Sequence, residues 1–386
     1  MHKADIVIVG GGVMGSSTAY SLRKSGFEGK ITVFEKDPIY EFSSTPRSAG
    51  GIRQLFTTAI NIKLSRFSLQ KYKAFPEEMA LNGEPAKIDF QQRGYLFLAT
   101  EEMVPGIESQ RKLQNELGVP SQFLSVDELR SIIPELAVND LAGGLYCSED
   151  GYLDAYSVMQ TYKKNAQKLE VDYVSKEVDT FLTENDRITG VRLLDGEEYK
   201  APIVVNCAGA WGAILSEKIG LSLPIVPLKR QIFQFDSSVP LQKPLPLTVD
   251  PTGVYFRHEG DRVITGFSED VKPGIDFSWK RSYFEELWPI LAHRVPNFES
   301  VKLESGWAGL YDFNTEDQNA IIGEHPAMKG YYMALGFSGH GMQQAPGVGI
   351  GLAELICKGK YETLDLTPLR VERFAENDLV LEHAIV

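Results

Sequence analysis

The first thirty-five residues alternate between apolar, strand-like runs and a helical stretch. Residues 5–9 read Asp-Ile-Val-Ile-Val, and a β-branched run of this kind is typical of a strand buried on both faces. A glycine-rich turn at residues 10–15 follows, and then a helical stretch from Ser16 to about Lys24. Residues 31–35 form a second β-branched run. The pattern predicts a strand, a helix and a second strand joined as one unit.

Two later segments resemble this unit, whereas the segments between them differ. Residues 203–209 and 331–338 are apolar runs that end in small residues, so we expect them to be strands of the same sheet. Residues 220–315 contain more prolines and alternate apolar with polar side chains, for example at 231–235 and 253–257. Such alternation predicts an antiparallel sheet with one covered face.

The expected fold class is therefore α/β plus β, with a nucleotide-binding domain interrupted twice by a β-rich domain. The nucleotide-binding domain is predicted to comprise residues 1–85, 146–219 and 316–370. Residues 86–145 and 220–315 are predicted to form an antiparallel-sheet domain that binds the substrate, and residues 371–386 a C-terminal tail.

The glycine turn has the spacing Gly10-x-Gly12-x-x-Gly15 between a predicted strand and a predicted helix. In that position glycines allow a tight turn, close approach of backbone to a pyrophosphate and close packing of helix on strand. Glu35 ends the second strand, where a carboxylate accepts hydrogen bonds from a ribose diol. The unit predicts an adenine dinucleotide. An acidic residue disfavours a ribose phosphate, which argues against NADP and leaves NAD or FAD.

A second glycine-rich turn, at residues 336–351, distinguishes these two cofactors. It joins a predicted strand to a helix, and the N-terminus of a helix stabilises negative charge on a reduced flavin. A glycine-rich helix cap is the alternative interpretation. The number of small residues that permit close backbone approach favours FAD.

Charge and residue usage exclude several classes of function. The 386 residues include 39 basic and 52 acidic side chains, a net charge of −13, which disfavours binding to nucleic acid. The three cysteines, Cys147, Cys207 and Cys357, are far apart and form no disulfide framework or cysteine-based zinc motif. The six histidines show no metal-binding spacing. We expect no metal.

The sequence contains no apolar run of the roughly 18 to 20 residues that a transmembrane helix needs. Asp5 and the glycines that follow also argue against a signal peptide at the N-terminus. We therefore expect a cytoplasmic protein with no transmembrane segment.

Motifs along nearly the whole chain resemble the D-amino-acid oxidase and sarcosine oxidase family of FAD-dependent amine oxidoreductases. They occur in the family's order at residues 7–15, 34–36, 43–54, 204–211 and 336–341. The resemblance implies a Rossmann-like FAD-binding domain interleaved with the substrate domain. It further implies oxidation of a C–N bond in a small amino acid, by hydride transfer to flavin N5 and hydrolysis of the imine.

Carried over by position, the resemblance also implies which residues contact FAD. Val174 is expected to lie beside the adenine, and His340 to act at the flavin through its side chain or only through its backbone. The implied set comprises Gly10, Gly12, Val13, Met14, Gly15, Glu35, Lys36, Ser44, Ser48, Ala49, Gly50, Gly51, Val174, Ala208, Gly209, Trp211, Gly309, Gly339, His340, Gly341, Met342 and Gln343.

Two positions depart from the family pattern. Gly309 aligns with the cysteine that attaches the flavin covalently in monomeric sarcosine oxidases, so we expect non-covalent FAD. Tyr255 aligns with the lysine that activates oxygen in those oxidases. Without that cation, superoxide formation loses electrostatic help, which favours a dehydrogenase over an oxidase.

An amino-acid substrate carries a carboxylate, which a buried arginine binds in bidentate fashion. Arg257, at the end of an alternating strand, is the first candidate and Arg53 the second, with Tyr255 and His340 as further catalytic candidates. N-methylated, cyclic and D-amino acids all remain open as substrates. The alternatives are a flavin-bearing factor for assembly of a respiratory complex, or a subunit that passes electrons to an acceptor protein or partner subunit.

Overall fold

The computed structural model describes residues 2–268 and 270–384. The strands in this part of the chain, in order, are His2–Lys3 (β1), Ile6–Val9 (β2), Ile31–Phe34 (β3), Gly51–Ile52 (β4), Tyr95–Ala99 (β5), Gln122–Leu124 (β6), Gly143–Cys147 (β7), Gly151–Tyr152 (β8), Asp172–Val174 (β9), Val178–Glu184 (β10), Arg187–Leu193 (β11), Glu198–Lys200 (β12), Ile203–Asn206 (β13), Ile225–Ser237 (β14), Leu247–Val249 (β15), Tyr255–Glu259 (β16), Arg262–Gly266 (β17), Val301–Asn314 (β18), Ile321–Glu324 (β19) and Tyr331–Leu335 (β20).

The α-helices in the same ranges are Val13–Lys24 (α1), Ala59–Glu78 (α2), Val104–Glu116 (α3), Val126–Ile132 (α4), Ala155–Lys168 (α5), Gly212–Glu217 (α6), Arg281–Arg294 (α7) and Gly341–Lys358 (α8). Short 3₁₀ helices lie at Glu101–Met103, Gly209–Trp211, Pro296–Glu299, Thr367–Leu369 and Val371–Phe374. Helix α1 begins at Val13, three residues before the predicted start, because the last three residues of the glycine turn already have helical backbone.

The first large sheet has the strand order β19-β20-β13-β2-β3-β9. Its strands run parallel except at the β19–β20 edge. All four residues of both β2 and β3 are buried, as their β-branched sequences predicted. Helices α1 and α8 cross closely over this sheet: Ser17 donates a hydrogen bond to the carbonyl of Ala345 at 2.8 Å, and a Cβ at Gly349 would lie 2.3 Å from the Ser17 hydroxyl.

Pro346 lies inside α8, where a proline removes the hydrogen bond to the carbonyl four residues earlier. That carbonyl belongs to Met342, and the Tyr72 hydroxyl of α2 donates to it. Because another helix satisfies the freed group, α8 continues without interruption to Lys358.

The second large sheet has the strand order β18-β14-β17-β16-β15-β5-β7-β6. It is antiparallel, as predicted, except that β15 pairs in parallel with β5. Strands β14 and β18 pair along their whole lengths, from Ile225 opposite Asn314 to Ser237 opposite Val301. The covered face packs a phenylalanine cluster that includes Phe233, Phe235, Phe256 and Phe298.

Two smaller sheets complete the architecture, a four-stranded one ordered β1-β12-β11-β10 and the pair β4-β8. The parallel sheet draws its strands from the three segments predicted as the nucleotide-binding domain, and the antiparallel sheet draws nearly all of its residues from the other two. The domain boundaries themselves stay a prediction.

The C-terminal segment is packed into the fold. Arg373 is fully buried and forms two hydrogen bonds with the Asp317 carboxylate, at 2.7 and 3.0 Å. Asp317 also accepts the amide of Val380 at 3.1 Å. This buried ion pair fixes the start of the segment beside β19, and the chain then continues towards α2.

Candidate active site

A cavity of about 360 Å³ lies where the carboxyl ends of the parallel strands meet the antiparallel sheet. Gly10 follows β2, Glu35 follows β3, Cys207 follows β13 and Phe337 follows β20, and all four line the cavity. In open sheets of this kind, ligands bind outside the carboxyl ends of the strands. The other side is formed by β14, β16 and β18 through residues such as Ile232 and Tyr255.

The glycine turn leaves no room for side chains at two of its three positions. Gly10 has a φ of +98°, and a Cβ there would lie 2.4 Å from the Cys207 carbonyl oxygen. A Cβ at Gly15 would lie 1.9 Å from the carbonyl oxygen of Gly10. Gly12 is the N-cap residue of α1. A Cβ added there would have only the Ser43 and Thr45 hydroxyl groups within 4 Å, both at 3.6 Å. The helix N-terminus therefore offers backbone amides to an anion at close range.

Glu35 is held by backbone amides on both carboxylate oxygens. Gly11 donates to Oε2 at 2.8 Å and Asp37 donates to Oε1 at 2.9 Å. Burial raises the pKa of Glu35 above the usual range for a glutamate, although both amides oppose the shift. The carboxylate lines the cavity, and its remaining lone pairs suit a ribose diol.

The second glycine turn is strained where it approaches the cavity. Ser338 and Gly339 have φ values of +48° and +96°, and a Cβ at Gly339 would lie 2.6 Å from the Tyr311 ring. The Asp312 carboxylate accepts the amide of Gly336 at 2.8 Å, and burial raises the pKa of Asp312 to about 6. These contacts hold the turn against β18, so that α8 begins at the cavity wall.

His340 is the N-cap residue of α8 and is only 2% exposed. Both ring nitrogens are buried without a hydrogen-bond partner among the described residues. The ring contacts Phe56 edge to face, with centroids 5.2 Å apart. Burial, with a smaller contribution from Arg53, lowers the pKa of His340 to about 3, so the ring is neutral near pH 7. A buried polar ring without partners in a cavity wall indicates that a ligand completes the site.

Tyrosines and arginines line the end of the cavity next to the antiparallel sheet. Tyr95 is buried there and Tyr255 and Tyr311 are half-buried; burial raises the pKa of Tyr95 to about 12, so its hydroxyl is neutral. The Arg53 guanidinium lies 4.0 Å from the Phe56 ring centroid, and the Arg230 guanidinium lies 5.3 Å from that of Tyr311. Aromatic surfaces with two cations beside them suit a small anionic ligand.

The structure brings most of the sequence-predicted residues together. Among the catalytic candidates, Arg53, Tyr255 and His340 line the cavity. The lining residues among the cofactor candidates are Gly10, Gly12, Val13, Met14, Glu35, Lys36, Ser44, Ser48, Ala49, Gly50, Gly51, Ala208, Gly209, Trp211, Gly309, Gly339, His340, Gly341, Met342 and Gln343.

Three candidates lie outside the cavity lining. Gly15 packs under the turn, and the Val174 carbonyl accepts the amide of Glu35 at 3.1 Å within the sheet. Arg257 donates to the carbonyl of Ala49 at 2.8 Å and to Glu259. Its guanidinium also lies 4.4 Å from the Tyr152 ring centroid. The structure therefore does not place Arg257 where a substrate in the cavity would meet it.

Sequence reasoning missed several lining residues. Thr45 accepts the amide of Val13 at 3.3 Å, and the serine- and threonine-rich stretch around it was the available signal. Arg47 and Tyr95 also line the cavity, without a motif that marks them. Cys207 lies at the glycine-turn end, where burial raises the pKa of its thiol to about 12.

The described residues lack two features. Across residues 2–268 and 270–384, no group of three or more histidine, cysteine or acidic side chains is arranged to hold a metal ion. In the same ranges, no helix has both the length and the apolar character needed to cross a membrane.

The fold and the cavity define a dinucleotide-binding oxidoreductase with a second, antiparallel sheet facing the same cavity. The chain belongs to the DAO family of FAD-dependent oxidoreductases, whose family profile matches residues 5–355. FAD is accordingly its cofactor, and the residues present fit this group: the open space at Gly12 would admit a pyrophosphate, the Glu35 carboxylate could accept hydrogen bonds from a ribose diol, and the His340 ring nitrogens have no partner among the described residues.

Three known proteins illustrate the relationship. The chain is 36% identical to FAD-dependent oxidoreductase domain-containing protein 1 of Xenopus laevis, over 100% of this chain and 85% of the relative. A solved L-proline dehydrogenase from P. horikoshii is 30% identical with a TM-score of 0.89, covering 98% of this chain and 100% of that one. A solved glycine oxidase from Geobacillus kaustophilus is 26% identical with a TM-score of 0.84, covering 97% and 99%.

Proposed function

We propose that the protein oxidises the C–N bond of a small amino acid, either N-methylated, cyclic or of D configuration. The observation that carries the proposal is the pairing of Arg53 with the second glycine turn in one cavity. The Arg53 backbone amide donates to Oε1 of Gln343 at 3.0 Å, and both residues line the cavity with His340. A carboxylate-binding group thus lies beside the segment expected to contact the flavin. The related proline dehydrogenase and glycine oxidase, as their names state, act on small amino acids, which supports a substrate of that size, and proline is a cyclic one.

The proposed cofactor site extends along the cavity from the first glycine turn to the second. The amides at the start of α1 would bind the pyrophosphate, Glu35 the ribose, and the backbone of residues 339–342 the flavin edge. FAD, when bound, accepts a hydride from the substrate carbon and so supplies the redox chemistry. We expect FAD to be held without a covalent bond, because residue 309 is a glycine and offers no nucleophile. Gly309 packs against Arg47, and a Cβ added at Gly309 would lie 3.2 Å from the Arg47 Cβ.

The protein's part in the reaction is to bind, orient and exclude water. A guanidinium binds a carboxylate in fixed geometry, and Arg53 and Arg230 are the two arginines at the tyrosine-lined end of the cavity. Tyr95, Tyr255 and Tyr311 would pack against the substrate and keep solvent from the reacting carbon. The neutral His340 ring presents one donor and one acceptor and adds no charge near the cofactor. The amine must be neutral so that its lone pair can form the C=N bond as the adjacent carbon gives up a hydride, and no general base is required at that step.

We further infer that electrons pass to an acceptor other than oxygen, such as an acceptor protein or a partner subunit. Tyr255 occupies the position at which related oxidases carry an oxygen-activating lysine, and burial keeps its phenol protonated by raising the pKa. A neutral phenol gives superoxide less electrostatic help than a cation. Peroxide formed in equal amount to the substrate oxidised would contradict this inference.

An anaerobic substrate panel tests the proposed function. The FAD-loaded protein is mixed with L-, D-, N-methyl and cyclic amino acids, and flavin absorbance is followed. Bleaching by at least one member is expected. If the flavin stays oxidised with every member, the enzyme proposal fails and the alternative, a flavin-bearing assembly factor, gains support. Co-purification with subunits of a respiratory complex would then be the measurement to make.

A further inference from the structure

One buried acid anchors the C-terminal segment, which contacts the cavity-lining residue Arg53. Glu382 is 2% exposed and accepts hydrogen bonds from five groups at the start of α2 and the turn before it. Oε1 accepts the Thr57 amide at 2.9 Å and its hydroxyl at 2.6 Å. Oε2 accepts the Thr58 amide at 3.2 Å, its hydroxyl at 2.8 Å, and Asn61 Nδ2 at 2.9 Å. So many donors to one buried carboxylate fix it as an anion in one orientation.

Glu382 also shapes the chain that follows it. Its Oε1 accepts the amide of Ala384 at 3.1 Å, and the Thr57 hydroxyl accepts the amide of His383 at 3.2 Å. The turn so formed directs the Ala384 carbonyl at Arg53, and the carbonyl accepts a hydrogen bond from Nη2 of that arginine. The two ends of this contact are 331 residues apart in the sequence.

Arg53 is held from both sides by these contacts. Nη1 donates to the carbonyl of Leu55, Nη2 donates to Ala384, and the guanidinium lies on the Phe56 ring. Phe56 in turn contacts the His340 ring. The two carbonyls engage two of the five guanidinium N–H groups, which leaves donors for an anion in the cavity that Arg53 lines.

We propose that Glu382 is a positioning residue, which acts through the Ala384 carbonyl to orient Arg53 as the carboxylate-binding group of the site. This inference rests on the proposed function, because it assigns the binding of the substrate carboxylate to Arg53. The acid touches neither the cavity nor the reacting atoms. It holds residues 53–58 and the C-terminal turn in a fixed relative position. The Arg53 guanidinium is therefore already ordered before the substrate binds.

Benzoate, an unreactive carboxylate, is the probe, and its affinity for the FAD-loaded protein is read from the change in the flavin spectrum. We expect Glu382→Gln to weaken benzoate binding about tenfold while the affinity for FAD changes less than about twofold. Glu376→Gln is the matched control, because Glu376 is an exposed acid of the same segment that pairs with Arg370, and it should bind benzoate like the wild type.

A double-substitution cycle separates positioning from simple loss of structure. If Glu382 acts through Arg53, Glu382→Gln should have no further effect on benzoate affinity once Arg53→Gln is present. Unchanged benzoate affinity in Glu382→Gln overturns the inference, as does a loss of thermal stability and FAD affinity alone. Additive losses in the double variant also overturn it. A wild-type protein that responds neither to benzoate nor to any amino acid overturns the proposed function as well.

Discussion

The backbone amide of Gly11 donates a 2.8 Å hydrogen bond to Oε2 of Glu35, across 24 residues of sequence. Together with the amide of Asp37 on Oε1, it orients the carboxylate towards the cavity. The contact joins the glycine turn to the end of the next strand, so the phosphate-binding and ribose-binding parts of the site are fixed relative to each other.

Replacement of Glu35 by glutamine should therefore weaken FAD binding. A glutamine has one acceptor oxygen in place of two, so either Gly11 or Asp37 loses its partner and the side chain turns a donor towards the ribose. We expect FAD affinity to fall about tenfold. Titration of the apoprotein with FAD, followed by quenching of flavin fluorescence, measures the change. Glu28→Gln, at an exposed acid outside the cavity lining, should leave the affinity unchanged.

The glycines of the turn should respond differently to an added methyl group. A Cβ at Gly15 would clash with the Gly10 carbonyl at 1.9 Å, so Gly15→Ala should lower the free energy of unfolding by about 3 kcal/mol. Gly12→Ala should fold like the wild type, since its Cβ has 3.6 Å of space, but bind FAD at least about tenfold more weakly because the methyl occupies the phosphate approach.

Urea unfolding and FAD titration of both variants distinguish these outcomes. Gly106→Ala, at a helical glycine with no neighbour within 4 Å, is the control and should stay within about 1 kcal/mol of the wild type. Equal loss of stability in Gly12→Ala and Gly15→Ala would show that the open space at Gly12 is not reserved for a ligand.

The parts of the site that lie close together in sequence could be predicted from sequence. The unit from Gly10 to Glu35 is local, and each residue type in it has one geometric purpose. Tyr255 and Arg257 show the limit. The alternation of side chains along β16 places Tyr255 and Arg257 on the same face of the sheet. It does not show where along the strand the cavity ends. Tyr255 lines the cavity, whereas Arg257, two residues on, is bonded to Ala49 and Glu259.

Specific contacts between distant segments could not be predicted, although residues 203–209 and 331–338 were correctly assigned to the sheet of the N-terminal unit. Glu382 meets Thr57 across 325 residues, and no composition, periodicity or motif in residues 371–384 marks that acid as buried. The parallel pairing of β15 with β5 in an otherwise antiparallel sheet has the same origin, because pairing between distant strands depends on the packing of the whole fold.

The neutral His340 should make stability depend on pH in the acid range. The pKa of His340 is about 3 in the fold, against 6.5 for an ordinary histidine. The contribution of the neutral ring to the free energy of unfolding is therefore complete above about pH 6.5 and is lost as the pH falls towards 3. Relative to His340→Gln, the wild type should lose about 2 to 3 kcal/mol between about pH 7 and about pH 4.5. Urea unfolding of the two proteins at each pH measures the difference. A constant difference would mean that the ring is already accessible to protons in the fold.

Non-covalent attachment predicts that acid releases the flavin. When the FAD-loaded protein is precipitated with trichloroacetic acid, the yellow colour should appear in the supernatant and the pellet should be colourless. The physical reason is that residue 309 offers no nucleophile and the buried thiol of Cys207 is protonated, with its pKa raised to about 12. Flavin that stays in the pellet after washing with denaturant would contradict the prediction and locate a covalent link elsewhere.

Replacing Arg53 and replacing Arg257 by glutamine should have different effects on KM and on stability. Arg53→Gln removes a guanidinium from the cavity wall, so the KM for any substrate found in the panel should rise about tenfold or more. Arg53→Lys keeps the charge but not the forked geometry and should recover part of that loss. Arg257 does not line the cavity, and Arg257→Gln breaks its bonds to the Ala49 carbonyl and to Glu259, so the change should lower the free energy of unfolding by about 1 to 3 kcal/mol and leave KM unchanged.

Steady-state kinetics and urea unfolding of these three variants decide between the two arginines. The result that would restore Arg257 as the carboxylate-binding residue is a raised KM in Arg257→Gln with unaltered stability. Such a result would require the Arg257 side chain to leave the Ala49 carbonyl and the Tyr152 ring when the substrate binds. Because the guanidinium is 4% exposed and engaged on both sides, we expect it to stay in place, and the change in KM to follow Arg53 alone.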